Sequence, residues 1–328
     1  MMLNWRALIR EALKRRKAEK LTQKQHATLA GVSIPTIIAF DRGERTLSLS
    51  KAFDILRVVG LLEEKTDEGG QEGFVEEAMI RWRQLLSDLP ADSPARFPNG
   101  FYRIDYSLHG DLTDIAPNQF QSILAKAVTR HTRWPMFWTP TRPNIAPYEH
   151  DGHIECWLAP TENRNDRAFQ DPAHYDFWCA APTGRMFLIR GYQEDGQETF
   201  GSGTIFDTTL PIWRLGEALL HAAQLSRLMK RDEHSVIIIK LRVLYTGLSG
   251  RVLRAWANPL TGFLFEGSAA RNDEAVLATE IEATEIDRDL AAIVFPLVAS
   301  LYGRFGVSGL SNDRVREEIL KLQRNGMR

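Results

Sequence analysis

Residues 21–49, LTQKQHATLAGVSIPTIIAFDRGERTLSL, constrain this chain more than any other stretch. Ala27, Leu29, Ala30, Val32, Ile37 and Phe40 recur at helical spacing on either side of Gly31, which predicts two short helices folded across a tight turn. Thr22 can cap the first of them through its hydroxyl and Ser33 the second, where Pro35 is tolerated because it falls in the first turn. Gly43, following Arg42, reads as the stop. An amphipathic helix precedes the pair over residues 5–20, with Trp5, Leu8, Ile9 and Leu13 on one face and Arg6, Arg10, Lys14 and Lys17 on another. A further helix carrying Ala52, Phe53, Ile55, Leu56 and Val59 follows, closed by Gly60. These faces suffice to bury one another in a small helical bundle.

Charge is unevenly spread. The 328 residues sum to -1, yet the first 65 hold thirteen Lys or Arg against seven Asp or Glu, so a cationic amino-terminal module sits on an acidic remainder. That pattern fits a DNA-reading headpiece, although a solvated charged face gives a similar count. Length leaves room for two domains. Two cysteines, Cys156 and Cys179, are too few for a disulfide framework, and without a leader-like segment the expected compartment is reducing cytoplasm. The longest apolar runs, such as residues 291–301, fall far short of the ~20 residues of a bilayer span.

Leu21, Thr22, Gln23, Ala27, Gly31, Val32, Ser33, Thr36, Ile37, Phe40, Asp41, Arg42, Gly43, Ser48, Leu49, Ile55 and Gly60 fall at the spacing of a known motif. Over residues 8–62 the chain resembles the phage-repressor (Xre-type) helix-turn-helix family. The resemblance implies a small all-helical domain that binds operator DNA, usually as a dimer on an inverted repeat, with the second helix of the pair (residues 33–42) in the major groove. It places Gln23 on the phosphate backbone and Ser33, Ile34, Pro35, Thr36, Ile38 and Ala39 on the recognition face. Arg42 and Arg45 flank the loop where phosphates pass. Family members often carry polar side chains where this chain has Ile34, Pro35, Ile38 and Ala39. Apolar groups can touch thymine methyls but cannot read guanine, so direct readout should lean towards A/T and draw on backbone contact and DNA shape. His26 stands where the family has a buried aliphatic residue and reads as a core histidine with a hydrogen-bond partner. The rival for this surface is a bundle that binds protein through Ile34 and Ile38.

Beyond the bundle, residues 66–73 turn acidic and glycine-rich, a connector by composition. Val75, Met79, Trp82, Leu86 and Leu89 then step by four, three, four and three, which suits either a short dimerisation helix or packing on a neighbouring domain. Pro90, Pro94, Pro98 and Gly100 mark a boundary. The organisation expected is therefore a helix-turn-helix domain over 1–65, a linker with a short amphipathic helix over 66–100, an α+β domain over 101–310 and a charged tail over 311–328 that reads as a loose terminal helix. FYRIDYSL, HIECWLA, RMFLIRGY, SVIIIKLRVLY, GRVLRAW and AVLATEIEA read as strands, and residues 117–131, 211–230 and 287–302 as helices. Their uneven order argues for a mixed or antiparallel sheet covered by helices on one side rather than a regular βαβ fold.

Chemistry is hard to find in this second part. His150, Asp151, His153, Glu155 and Cys156 cluster in sequence, but in a strand His153 and Glu155 face one way and Cys156 the other. Phosphate-loop, dinucleotide-glycine, nucleophile-elbow and zinc-ligand patterns are missing, so no catalytic residue, metal or cofactor is expected. Aromatic and cationic residues are dense between 134 and 178. Trp134, Trp138, Arg142, Trp157 and Trp178 are the candidates for holding a planar or anionic small molecule, against the plainer reading that they pad a core edge. The function expected is a dimeric transcription regulator, a repressor, that binds double-stranded DNA and senses a ligand or partner through its second domain. The alternative is a nucleic-acid or phage-defence enzyme that uses the head for targeting.

Overall fold

The computed structural model describes residues 5–44, 47–59, 61, 70–158, 172–258 and 268–325. Two compact units make up the chain, Met1–Gly73 and Phe74–Arg328.

The first unit holds α1 (Trp5–Ala18), α2 (Gln23–Leu29), α3 (Ile34–Asp41) and α4 (Leu49–Val58). Thr22 caps α2 in a reciprocal box with Gln25, and Ser33 caps α3 ahead of Pro35. Gly31 and Gly43 take the left-handed φ values (+62° and +76°) that the turns after α2 and α3 require. Ile9, Ala12, Ala27, Ile37, Phe40, Ile55 and Leu56 form the core, with Trp5 edge-on to Phe40 at 5.5 Å. His26 lies within that core, and its Nε2–H donates to the Ile55 carbonyl at 2.8 Å. The acceptor fixes the proton on Nε2 and ties α2 to α4. Gly60 lies outside the described residues.

The second unit begins within the first turn of α5 (Gln71–Leu86) and goes on through β1 (Phe101–Gly110), α6 (Pro117–Ala127), β2 (Tyr148–His150), β3 (His153–Trp157), β4 (Phe177–Ala181), β5 (Arg185–Gly191) and β6 (Ile205–Asp207). It continues with α7 (Leu210–Met229), β7 (Ile237–Tyr245), β8 (Val252–Arg254), β9 (Ala275–Glu282), α8 (Ala283–Gly303) and α9 (Asn312–Asn325). Seven strands form one sheet in the order β2-β3-β4-β5-β1-β7-β9, every neighbouring pair antiparallel, while β6 and β8 make a separate parallel pair. This is an α+β domain. None of the described helices is long and apolar enough to cross a membrane.

Alternation along the strands sets both faces. Tyr102, Ile104, Tyr106 and Leu108 of β1 point into the main core beneath α6, α7 and α8. Phe177, Cys179 and Ala181 of β4, with Phe187 and Ile189 of β5, point the other way and are covered by Phe74, Ala78, Trp82 and Leu86 of α5. The one-sided helical cover anticipated from the strand and helix pattern is therefore corrected to cover on both faces. The stripe that suited a dimerisation helix is occupied by the chain's own sheet, with Val75, Met79 and Leu89 at its margin.

The terminal helix forms as α9 (Asn312–Asn325), but it is docked rather than loose. Val315, Ile319 and Leu322 recur along one face of α9 and are buried. α9 packs on α7 at Gly216, where a Cβ would stand 2.9 Å from Leu322 Cδ2 and 3.0 Å from Ile319 Cδ1. Charge dominated the composition of this segment and hid a three-residue apolar stripe. Gly216→Val is expected to destabilise the second unit by about 1–3 kcal/mol through overpacking. Urea unfolding of wild type and variant checks this, and an unchanged midpoint would contradict tight docking of α9.

Candidate nucleic-acid interface

Ile37 and Phe40 turn inward from α3 and are buried, which leaves its opposite side outward. Ser33, Ile34 and Pro35 are exposed at the amino end of the helix, Ile34 to 43%, while Thr36, Ile38 and Ala39 are half-buried. The Ser33 hydroxyl accepts from the Thr36 amide at 3.4 Å and pairs with the Thr36 hydroxyl at 2.8 Å. These two polar groups of the face are thus held in place by the helix cap itself. Arg42 projects from the end of α3 with 71% of its side chain exposed and an acidic neighbour, Glu44, 4.0 Å away. Arg45 lies outside the described residues. The face is small and mostly apolar, with hydroxyls at one end and a guanidinium at the other.

Gln23 opens α2 and is exposed, but its amide is already engaged, with Nε2 donating to Asp41 Oδ2 at 2.7 Å. Asp41 also takes both guanidinium nitrogens of Arg16, Nη1 on Oδ1 at 2.9 Å and Nη2 on Oδ2 at 2.7 Å. A single carboxylate therefore ties α1, the start of α2 and the end of α3 into one rigid unit. Sequence reasoning missed Arg16 and Asp41 as a pair because they stand 25 positions apart. It also passed over Leu29, which is 63% exposed beside the turn. The Arg16 and Asp41 side chains are only 12% and 13% exposed, so the pair is desolvated enough to matter. Asp41→Ala, which orphans Arg16 and Gln23 together, is expected to cost about 2 kcal/mol of head stability. Thermal unfolding of the chain measures the loss, and an Asp41→Ala head as stable as wild type would show the network to be idle. Exposed cations surround this frame at Arg6, Arg10, Lys14 and Lys17 on α1, Lys20 in the turn that follows and Lys24 on α2.

The aromatic candidates of the second unit do not enclose one cavity. Trp178 is fully buried on β4 and donates from Nε1 to the Trp138 carbonyl at 2.9 Å. Trp134 lies 4.6 Å from the Trp138 ring and donates to Asp176 Oδ2 at 3.2 Å. Trp157 packs on the opposite face of the sheet with Phe177, and Arg142 is exposed on a loop. Beneath Trp134, Asp176 holds the wholly buried Arg190, whose Nε donates to Oδ1 at 2.8 Å. Burial alone would lower the Arg190 pKa, and Asp176 more than reverses this, so it is raised. Trp134 thus caps a structural ion pair, its indole on Asp176 and its carbonyl on Arg190.

The histidine and acid cluster is arranged as strand parity requires. Glu155 faces α5, whereas Cys156 points to the other side and contacts the Ile145 carbonyl at 3.3 Å. Arg81 of α5 grips the Glu155 carboxylate through Nε to both oxygens at 3.1 Å and Nη2 to Oε1 at 2.7 Å. These bonds raise the Arg81 pKa, while burial first and Glu155 second push the Tyr148 phenol up. Burial also drives the Cys179 thiol well above its ordinary range, reinforced by Glu155 and Glu77. Glu155 so held anchors α5, and burial keeps Cys179 as a thiol. Among the described residues, no group of three or more His, Cys, Asp or Glu is placed to hold a metal ion.

A family model for the helix-turn-helix matches residues 13–63. No curated protein and no solved structure matches the chain. The first unit carries a helix-turn-helix domain of the Xre type, the kind of domain that binds DNA.

Proposed function

From a helix-turn-helix domain at residues 13–63, we propose that this protein is a sequence-specific transcription regulator acting as a repressor, with the second unit sensing a small molecule or a partner. The observation that carries the reading is the capped α3, whose amino-terminal residues Ser33, Ile34, Pro35 and Thr36 stand outward next to a turn of the helix-turn-helix type. In such domains these positions meet base edges, and Gln23, Ile38, Ala39, Arg42 and Arg45 complete the contact surface. Gln23 donates to Asp41 through one N–H, which leaves its second amide hydrogen and its carbonyl for a phosphate-side contact. Two copies would place two heads on half-sites about 34 Å apart. A ligand that favours one arrangement of the two heads would then alter affinity for the paired site.

Ile34 and Ile38 support readout through thymine methyls, so bound sites should be A/T-rich at the positions beneath α3. Genome-wide mapping of bound sites tests this, with a variant carrying Ser33→Ala, Thr36→Ala and Arg42→Ala beside wild type. Affinity for the recovered site is expected to fall about ten-fold in the variant. A variant that occupies the same sites as strongly would sink the recognition role of α3.

A further inference from the structure

Buried ionisable side chains meet where the end of β5, the β6–β8 pair and the start of α7 come together. Glu194 lies in a 3-10 turn over Gln193–Gly196, beside Asp195, and both are buried together with Asp207 of β6 and Arg251 ahead of β8. Three carboxyl groups thus share one guanidinium. Arg251 commits it to Asp195, Nη1 on Oδ1 at 2.8 Å and Nη2 on Oδ2 at 2.6 Å. Asp207 instead takes four backbone amides, Thr209 and Leu210 on Oδ1 at 2.7 Å and Trp256 and Ala257 on Oδ2 at 2.8 Å, which suits a charged carboxylate. Glu194 is the least supported of the three. Its Oε1 accepts the Asp207 amide at 3.0 Å, and it forms no ion pair among the described residues.

A cavity of about 20 Å³ borders Glu194, room for roughly one water molecule, so an ionised carboxylate there cannot be hydrated in place. The other charged or titratable groups around the cavity are Arg214 of α7, held by Glu217 at 2.9 Å, and the phenols of Tyr102, Tyr192 and Tyr245. Tyr245 Oη is buried with no hydrogen-bond partner among the described residues. Tyr302 of α8 also faces this corner, its hydroxyl donating to the Thr208 carbonyl. Burial pushes all four phenols up, so none of them titrates near neutral pH.

We propose that Glu194 is a proton-binding latch: with its proton on, it fastens β6, the start of α7 and the end of β8 as one corner, and losing the proton loosens that corner. Two carboxyl groups side by side in a dry corner cannot both ionise without cost, and the four amides make Asp207 the better placed to carry the charge. Burial raises the Asp207 pKa against those amides, while for Glu194 burial first and Asp207 second lift it from 4.5 to about 7. In an opened corner the Glu194 carboxyl returns to its ordinary value. Across that window the closed form keeps a proton that the open form releases, so closure is most favoured below the window, weakens as pH rises through it and is constant above it. The inference concerns the second unit alone and holds whether or not the head binds DNA.

The test is hydrogen–deuterium exchange of the intact chain, read by mass spectrometry at pH 6 and pH 8 and corrected for the intrinsic pH dependence of amide exchange. Opening constants of peptides spanning residues 205–215 and 252–258 are expected to rise about ten-fold from the lower pH to the higher. Those of α6, which lines no part of this corner, should change by less than about two-fold, and Glu194→Gln should abolish the rise. Glu194→Met, which likewise carries no proton, replaces the glutamine variant if that does not fold, and the wild-type comparison decides alone if neither folds. A wild-type rise below about two-fold, an equal rise in α6, or a rise that survives in the variant would each overturn the inference.

Discussion

Asp176→Ala is expected to destabilise the second unit by about 3–5 kcal/mol, the cost of stranding a buried charge. Arg190 and Asp176 are both fully buried, and the guanidinium's other partners are neutral, among them the carbonyls of Pro135 at 3.1 Å and Trp134 at 3.4 Å and the Tyr102 side chain. Without the carboxylate the cation keeps those acceptors but loses the charge that balances it. A paired replacement, Asp176→Leu with Arg190→Met, should recover much of the loss, because well-packed apolar groups need no desolvation. Urea denaturation followed by tryptophan fluorescence reads the effect directly, since Trp134 is bonded to Asp176 and stands beside Trp138. If Asp176→Ala alone shifted the midpoint by less than the error of the measurement, the buried pair would not be what holds this corner of the sheet to the Trp134 loop.

The second large effect concerns salt. If the head grips duplex through phosphates, log affinity falls with log salt by about 0.9 for each phosphate neutralised, so four contacts lose on the order of a hundred-fold between 50 and 200 mM. The cations available are those of α1 and α2 together with Arg42, while Arg16 is committed to Asp41. A surface that instead docks protein through Leu29 and Ile34 would respond by less than about two-fold, because apolar contacts are not screened. Fluorescence anisotropy on a labelled duplex across that salt range separates the two outcomes. A flat response would end the DNA-binding reading whatever the fold of the head.

The sequence by itself determined what depends on neighbours a few residues away. Thr22 and Ser33 cap helices through bonds to residues three positions on, Gly31 supplies a left-handed turn, and both are local events that spacing discloses. The strands of β1, β5, β7 and β9 were equally legible, since each alternates or concentrates branched and aromatic residues over five or more positions. β4 was not, because its five residues are buried on both faces and read as one more aromatic cluster. The tertiary structure alone decided which groups meet. It joined Arg16 and Gln23 on Asp41, and Arg81 on Glu155 across 74 positions. It set Trp157 and Trp178 on opposite faces of one sheet, where closeness in sequence had suggested a shared pocket. It also laid α5 and α9 on surfaces that no pattern within those helices could specify. A helix's apolar stripe says that something must cover it, and the identity of the cover is a property of the whole chain's topology.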